Sequence, residues 1–488
     1  MFAGTGSDVG KSIIAAAFCR IFRQDGYSPA PFKAQNMALN SYATPEGLEI
    51  GRAQAMQAES AGIPCHTDMN PILLKPNSDH TSQVVLNGKP AGNRSAREYF
   101  GGIGQEDLRK AAHEAFDRLN KRYSPIVMEG AGSISELNLR DHDIVNMPMA
   151  AHADAAVILV ADIDRGGVFA SVYGSVMLQN EEDRKRIKGV IINKFRGDMS
   201  LFDDGRRIIE ELCGIPVLGV IPYFTDIHVD AEDSVALNRK NNQAREGYIN
   251  IAVVRLNHIS NFTDFDALEH DKRVHLYYSA DPEELGKADI IILPGSKSTI
   301  ADLKELYLNG MAQAVKQAAG SGKPVIGICG GYQMLGLEIC DPYRTEGDSE
   351  QIEGLGLLPI RTIMATAKTT RQVSFRLDGC ETVCHGYEIH QGHTECTETE
   401  NLRTFARLDD GNSDGYVRDN VTGTYLHGLL DNTAYTERLL SPFADKAKTT
   451  EKQVEYASFK EREYDRLAEH IRRHTDMEKI YQILQNYD

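Results

Sequence analysis

Four short apolar runs in the first half of the chain constrain its fold more than any other feature. Residues 124–129 (Ser-Pro-Ile-Val-Met-Glu), 155–161 (Ala-Ala-Val-Ile-Leu-Val-Ala), 189–193 and 217–221 are continuous rather than alternating. Strands covered on both faces read that way. Between them lie stretches with helical spacing, such as 106–123 and 203–213. This β/α alternation predicts a doubly wound parallel sheet.

A polar stretch, residues 226–247, breaks the rhythm and marks a domain boundary. A second β/α series follows, with strands expected at 249–256, 274–278, 290–293 and 325–328, and a strand-rich region at 357–424. The tail, 446–488, is charged, with apolar residues at helical spacing (Leu467, Ile471, Met477, Ile480, Ile483, Leu484). It reads as docked amphipathic helices. At 488 residues the chain exceeds a single core. The expected organisation is residues 1–230, 248–440 and a helical tail at 441–488.

Composition closes off several classes. A net charge of −17 argues against a nucleic-acid surface, though a local Lys/Arg cluster still accommodates an anionic substrate. No apolar run has the length of a membrane span, and no basic, hydrophobic leader is read, so a cytoplasmic setting is expected. Eight scattered cysteines fit reduced thiols better than a disulfide framework. The group Cys380, Cys384, His385, His390, His393 and Cys396 lacks the close Cys pair of a zinc site. It reads as ordinary strand and loop residues.

Two motifs carry chemistry. Gly4-Thr5-Gly6-Ser7-Asp8-Val9-Gly10-Lys11-Ser12 precedes an apolar helical run at 13–22. Glycines let several backbone N–H groups face phosphate oxygens, and the helix N-terminus adds positive partial charge. In this reading Gly10 and Lys11 hold ATP, Lys11 bridging its terminal phosphates, and Ser12 ligates Mg²⁺. Glu129 ends a buried strand, where a carboxylate suits the same metal. Asn193 ends another strand, in reach of the nucleotide. Only three residues precede Gly4, so the first strand is expected to be short.

The second motif is Gly327-Ile328-Cys329-Gly330-Gly331. It resembles a nucleophile elbow with Cys in place of Ser. Glycines on both sides serve no packing purpose in this reading, which favours a functional bend. His427, in Gly423-Thr424-Tyr425-Leu426-His427-Gly428, is the candidate base. Backbone N–H groups at Gly330 and Gly295 are the candidate oxyanion donors.

Together these segments resemble cobyric acid synthase, a glutamine-dependent amidotransferase family of cobalamin biosynthesis. The likeness spans nearly the whole chain. Its most specific parts are Gln35-Asn36-Met37-Ala38-Leu39-Asn40 and Asp164-Arg165-Gly166-Gly167-Val168-Phe169. The resemblance implies an N-terminal P-loop domain like dethiobiotin synthetase ATPases and a C-terminal flavodoxin-like glutamine amidotransferase domain. It implies ATP- and glutamine-dependent amidation of the b, d, e and g carboxylates of adenosylcobyrinic acid a,c-diamide, with Cys329 as nucleophile and His427 as base. Lys33, Lys75, Arg165 and Arg196 are the candidate partners of the acidic corrinoid arms or phosphates. Wider amidotransferases carry Glu two residues after the His, where this chain has Leu429. The third member of the glutaminase site is therefore open. Rival readings are cobyrinic acid a,c-diamide synthase and, in another class, a P-loop partitioning or scaffold ATPase.

Overall fold

The computed structural model describes all residues except 77–80, 96–103, 231–236, 238–239, 347–349, 452–454 and 487–488. The polar stretch at 226–247 and the tail therefore lie partly outside the described residues. In the first half, Phe2–Gly4, Val157–Asp162, Ile187–Phe195 and Val217–Pro222 form a parallel sheet in that order. A parallel bridge from Phe2 to Glu129 carries the sheet on to Ile126–Met128, which pairs with Ala30–Phe32. The wholly buried pattern of Val157–Asp162 explains its apolar run from Val157 to Ala161. Phe2–Gly4 is as short as its position requires.

The second half is built on a larger sheet. Val274–Ser279, Ile249–Val254, Ile290–Leu293, Val325–Ile328 and Val421–Thr424 run parallel in that order. The sheet continues through antiparallel partners to the long hairpin of Ile360–Leu377 and Cys384–Cys396. Its core is one continuous cluster reaching from Leu237 to Leu440.

The tail does not pack where chain order would suggest. Helix Tyr456–Arg473 returns to the first half, burying Tyr464, Leu467, Ala468 and Ile471 in the same cluster as Ile14, Phe18 and Ile21 of helix Lys11–Gln24. Arg20, on the latter helix, pairs with Asp465 at 2.8 Å and Glu461 at 2.9 Å. No helix among the described residues is long and apolar enough to cross a membrane.

The two halves meet along a polar seam. Asn261 bonds both ways with Ser41: its Oδ1 accepts from Ser41 N–H at 3.2 Å and its Nδ2 donates to Ser41 O at 3.1 Å. Asn40 Oδ1 accepts from the Phe262 N–H at 3.2 Å. Lys368 donates to Glu49 at 2.6 Å, and Gln372 to the Ala43 carbonyl at 3.0 Å. Asn40, which ends the most family-specific segment, thus sits at the joint.

Candidate active sites

The loop between Phe2–Gly4 and Lys11–Gln24 folds around its own lysine. Lys11 Nζ donates to the carbonyls of Gly6 and Gly132, each at 3.0 Å. Gly10 has φ of 98°, and a Cβ there would come within 2.2 Å of Asn193 Nδ2. Only glycine satisfies both conditions. The Asn193 amide donates to the Val9 carbonyl at 2.8 Å, so it fixes the loop from the neighbouring strand.

Ser12 and Glu129 meet at the base of this loop. Ser12 Oγ donates to Glu129 Oε1 at 2.7 Å, Lys33 Nζ to the same oxygen at 2.9 Å, and Gln57 to Oε2 at 2.8 Å. A hydroxyl and a carboxylate side by side next to a phosphate loop form the oxygen donor set that Mg²⁺ takes, so these residues fit the ion. A cavity of about 840 Å³ opens over them and is lined by Gly10, Lys11, Ser12, Lys33, Glu129, Arg165 and Asn193.

The four candidate cations for the acidic substrate separate in space. Lys33 and Arg165 line the cavity. Lys33 is buried against Glu129, and Arg165 is exposed beside Asp8 at 3.3 Å. Arg196 lies outside the cavity lining, over the Tyr223 ring and paired with Asp164 at 2.6 Å. Lys75 is buried in the seam, donating to Glu49 at 2.8 Å and Ser41 at 2.9 Å.

The second candidate centre stands at the sharp bend after Val325–Ile328. Cys329 has φ 53° and ψ −110°, an unfavourable conformation for a residue with a side chain, and starts the short helix Gly330–Met334. Its N–H donates to the Thr424 carbonyl at 2.8 Å. Its sulfur lies 3.5 Å from the Ile389 carbonyl and is hydrogen-bonded to the His427 side chain. One part of the sequence reading needs correction: the adjacent glycines do serve packing. A Cβ on Gly331 would lie 2.0 Å from the Leu293 carbonyl oxygen, and one on Gly327 would lie 2.6 Å from Gly331 O. The bend is pressed against the neighbouring strand, and nothing larger fits.

His427 ends a two-residue strand paired with Tyr387, whose ring stacks on the imidazole at 5.2 Å. On its other side His427 Nδ1 meets Asp264 Oδ2 at 2.7 Å, while Asp264 Oδ1 accepts from the Gly428 N–H at 3.0 Å. Burial alone would lower the imidazole pKa. The Asp264 charge and hydrogen bond, with the contact to Cys329, outweigh burial and raise it to about 10. The ring is therefore an imidazolium at neutral pH, facing sulfur. Asp264, which sequence reasoning missed, lies 163 positions before His427. It sits on the single turn Phe262–Phe265, entered through Asn261 at φ 53°. Its sequence signal is faint: one acid in a short turn, with Thr263 before it and a second acid, Asp266, two residues on.

Gly330 and Gly295 come to the same place. A Cβ on Gly330 would lie 2.8 Å from Ser296 N, and one on Gly295 would lie 3.6 Å from His427 Cε1. The candidate zinc-like group is spread along Cys384–Cys396 and the turn before it. His390 stacks on Tyr425 at 3.7 Å, and burial pushes its imidazole down to about 3. Among the described residues, no group of three or more His, Cys, Asp or Glu side chains is arranged to hold a metal.

Comparison with known proteins gives this geometry a family. Residues 1–235 match the family described as the CobQ/CobB/MinD/ParA nucleotide binding domain, and residues 250–435 match the CobB/CobQ-like glutamine amidotransferase domain. A cobyric acid synthase of Bacteroides fragilis is 64% identical over 489 residues, covering 100% of this chain and 98% of the relative. One from Phocaeicola vulgatus is 64% identical over 490 residues, with the same coverage. One from Syntrophobacter fumaroxidans is 47% identical over 507 residues, covering 99% of this chain and 98% of the relative. A chain matched along its whole length at such identity, carrying both a nucleotide-binding and a glutamine amidotransferase domain, belongs to the cobyric acid synthase family.

Proposed function

We propose that this protein converts adenosylcobyrinic acid a,c-diamide to adenosylcobyric acid by amidating its b, d, e and g carboxylates, with ATP as activator and glutamine as nitrogen donor. The observation that carries the reading is the aligned series Cys329, His427 and Asp264, each touching the next. No packing role requires a cysteine in a strained bend, a buried imidazolium and a buried carboxylate to be lined up in this order.

In the glutaminase half, the Cys329 sulfur, its proton held by the His427 imidazolium, attacks the side-chain amide carbon of glutamine. The oxyanion that forms is met by backbone N–H groups at Gly330 and near Gly295. His427 gives its proton to the departing ammonia, leaving a glutamyl thioester. The now neutral imidazole takes a proton from water, which hydrolyses the thioester and releases glutamate. Asp264 fixes the ring orientation and favours its charged form.

In the first half, a substrate carboxylate attacks the terminal phosphoryl of ATP and ADP departs. Lys11 and the loop N–H groups stabilise the charge on the transferring group. Mg²⁺, held by Ser12 and Glu129, would neutralise phosphate charge when bound. The acyl phosphate that results has a good leaving group, which a free carboxylate lacks. Ammonia attacks it and inorganic phosphate departs. Lys33 and Arg165, at the cavity wall, are the cations we assign to phosphate or to the acidic arms.

Paired variants test the division of labour. Cys329→Ala should lose glutamine-dependent amidation and keep ammonia-dependent amidation. Lys11→Ala should lose synthesis with either nitrogen source and keep glutamate release. Loss of both nitrogen sources in Cys329→Ala, or full synthesis in Lys11→Ala, contradicts the assignment.

A further inference from the structure

Lys297 directly follows the two-residue strand Gly295–Ser296, in a loop pinned beside the candidate nucleophile. Its N–H donates to the His258 carbonyl at 2.9 Å. Ser298 N–H donates to Ser296 Oγ at 3.0 Å, and Ser296 Oγ donates to the buried Asp302 at 2.6 Å. Gly330 presses on this loop, its would-be Cβ 2.8 Å from Ser296 N, and Gly295 stands beside His427. The loop therefore runs between the base and the residue after the sulfur. It brings the Lys297 ammonium into the electrostatic reach of Cys329.

The charges there do not balance. Lys75 and Lys368 stand near Lys297, together with Glu49 and Glu346. Glu49 is taken up by Lys75 at 2.8 Å and Lys368 at 2.6 Å. Glu346 is taken up by Thr299 Oγ1 and Ile300 N–H, each at 3.1 Å, and burial pushes its carboxyl up to about 7. The Lys297 ammonium makes no ion pair or side-chain hydrogen bond among the described residues, and burial, then Lys75, lower its pKa. Lys297 is half-buried, and a cation held there beside two other lysines is favoured when an anion joins it.

We infer that Lys297 anchors the α-carboxylate of glutamine. The inference rests on the reading of Cys329 as the glutaminase nucleophile. The α-carboxylate of glutamine lies four bonds from the carbon that the sulfur attacks. Its receiving cation must stand close to the thiol without touching it, and Lys297 meets that condition.

The test compares glutamine with glutaminamide, whose α-carboxylate is replaced by a neutral amide, by ammonia release from the full-length protein. Wild type should prefer glutamine. In Lys297→Met, KM for glutamine should rise about ten- to a hundredfold, as expected for one charge-assisted hydrogen bond, and the preference should fall to near parity. Lys297→Arg should restore part of it, and ammonia-dependent amidation should be unchanged in both variants. An intact preference in Lys297→Met overturns the inference. So does an intact preference accompanied by a shifted pH profile for Cys329 alkylation, which would make Lys297 a partner of the thiol only. Wild type that releases no ammonia from glutamine sinks the glutaminase reading itself, and this inference with it.

Discussion

Asp264→Asn isolates what one buried charge does for the glutaminase centre. Asn keeps the shape, so packing survives and only the carboxylate charge is lost. In the native protein the His427 imidazole is raised from 6.5 to about 10 against the opposing effect of burial. That interval corresponds to roughly 5 kcal/mol of preference for the protonated ring, at 1.36 kcal/mol per pH unit. Asp264 supplies the larger share, through its charge first and its hydrogen bond second, ahead of the contact with Cys329. The folded-state value lies above the ordinary one, so the stabilisation is fully present below about pH 6.5 and is lost as pH rises through about 10. Glutaminase activity should follow the same alkaline limb. With Asn at 264, burial acts unopposed by that charge, and the limb should move to neutrality or below. Asn also presents an N–H or a weaker acceptor to Nδ1, which disturbs the ring tautomer. Glutaminase kcat should fall about 10³- to 10⁴-fold, the scale seen when a triad carboxylate is neutralised elsewhere. The assay is glutamate release at saturating glutamine across pH, with ammonia-dependent amidation as the folding control. An unmoved alkaline limb, or a rate within about tenfold of wild type, would refute the reasoning.

Other consequences are as direct. Gly331→Ala places a Cβ 2.0 Å from the Leu293 carbonyl and should cost about 3 kcal/mol or more in denaturant unfolding. Gly286→Ala, which meets nothing within 4 Å on helix Pro282–Lys287, should be neutral or slightly stabilising. Glu49→Gln strands Lys75 and Lys368 in the seam and should cost about 3–5 kcal/mol, measured by urea unfolding. Burial alone would raise the Glu49 carboxyl, but Lys368 and Lys75 hold it below the ordinary 4.5. Its contribution is therefore present above that pH and lost as pH falls further, so the Gln variant should show a flatter acid limb of stability than wild type.

The strands were legible because burial on both faces leaves a plain mark: 157–161 and 290–293 are apolar throughout. The phosphate loop and the cysteine bend were legible because each needs glycine at fixed offsets. Asp264 was not, because its role depends on a tertiary approach across 163 residues and not on spacing. Lys75 shows the converse limit. A lysine sealed against Glu49 and one facing an anionic ligand look alike in sequence, since burial and partner decide between them. The return of helix Tyr456–Arg473 to the P-loop helix was likewise invisible. Its amphipathic spacing says that one face is buried, but not against which neighbour.

The central claim is that nitrogen released beside Cys329 is consumed where the first half activates a carboxylate. The most direct measurement supplies the corrinoid, ATP and glutamine carrying heavy nitrogen in its side-chain amide, with excess unlabelled ammonium in solution, and weighs the product. The account predicts four new amides, drawn mainly from the heavy glutamine. A product with two new amides, or with four drawn mainly from the unlabelled pool, would contradict it.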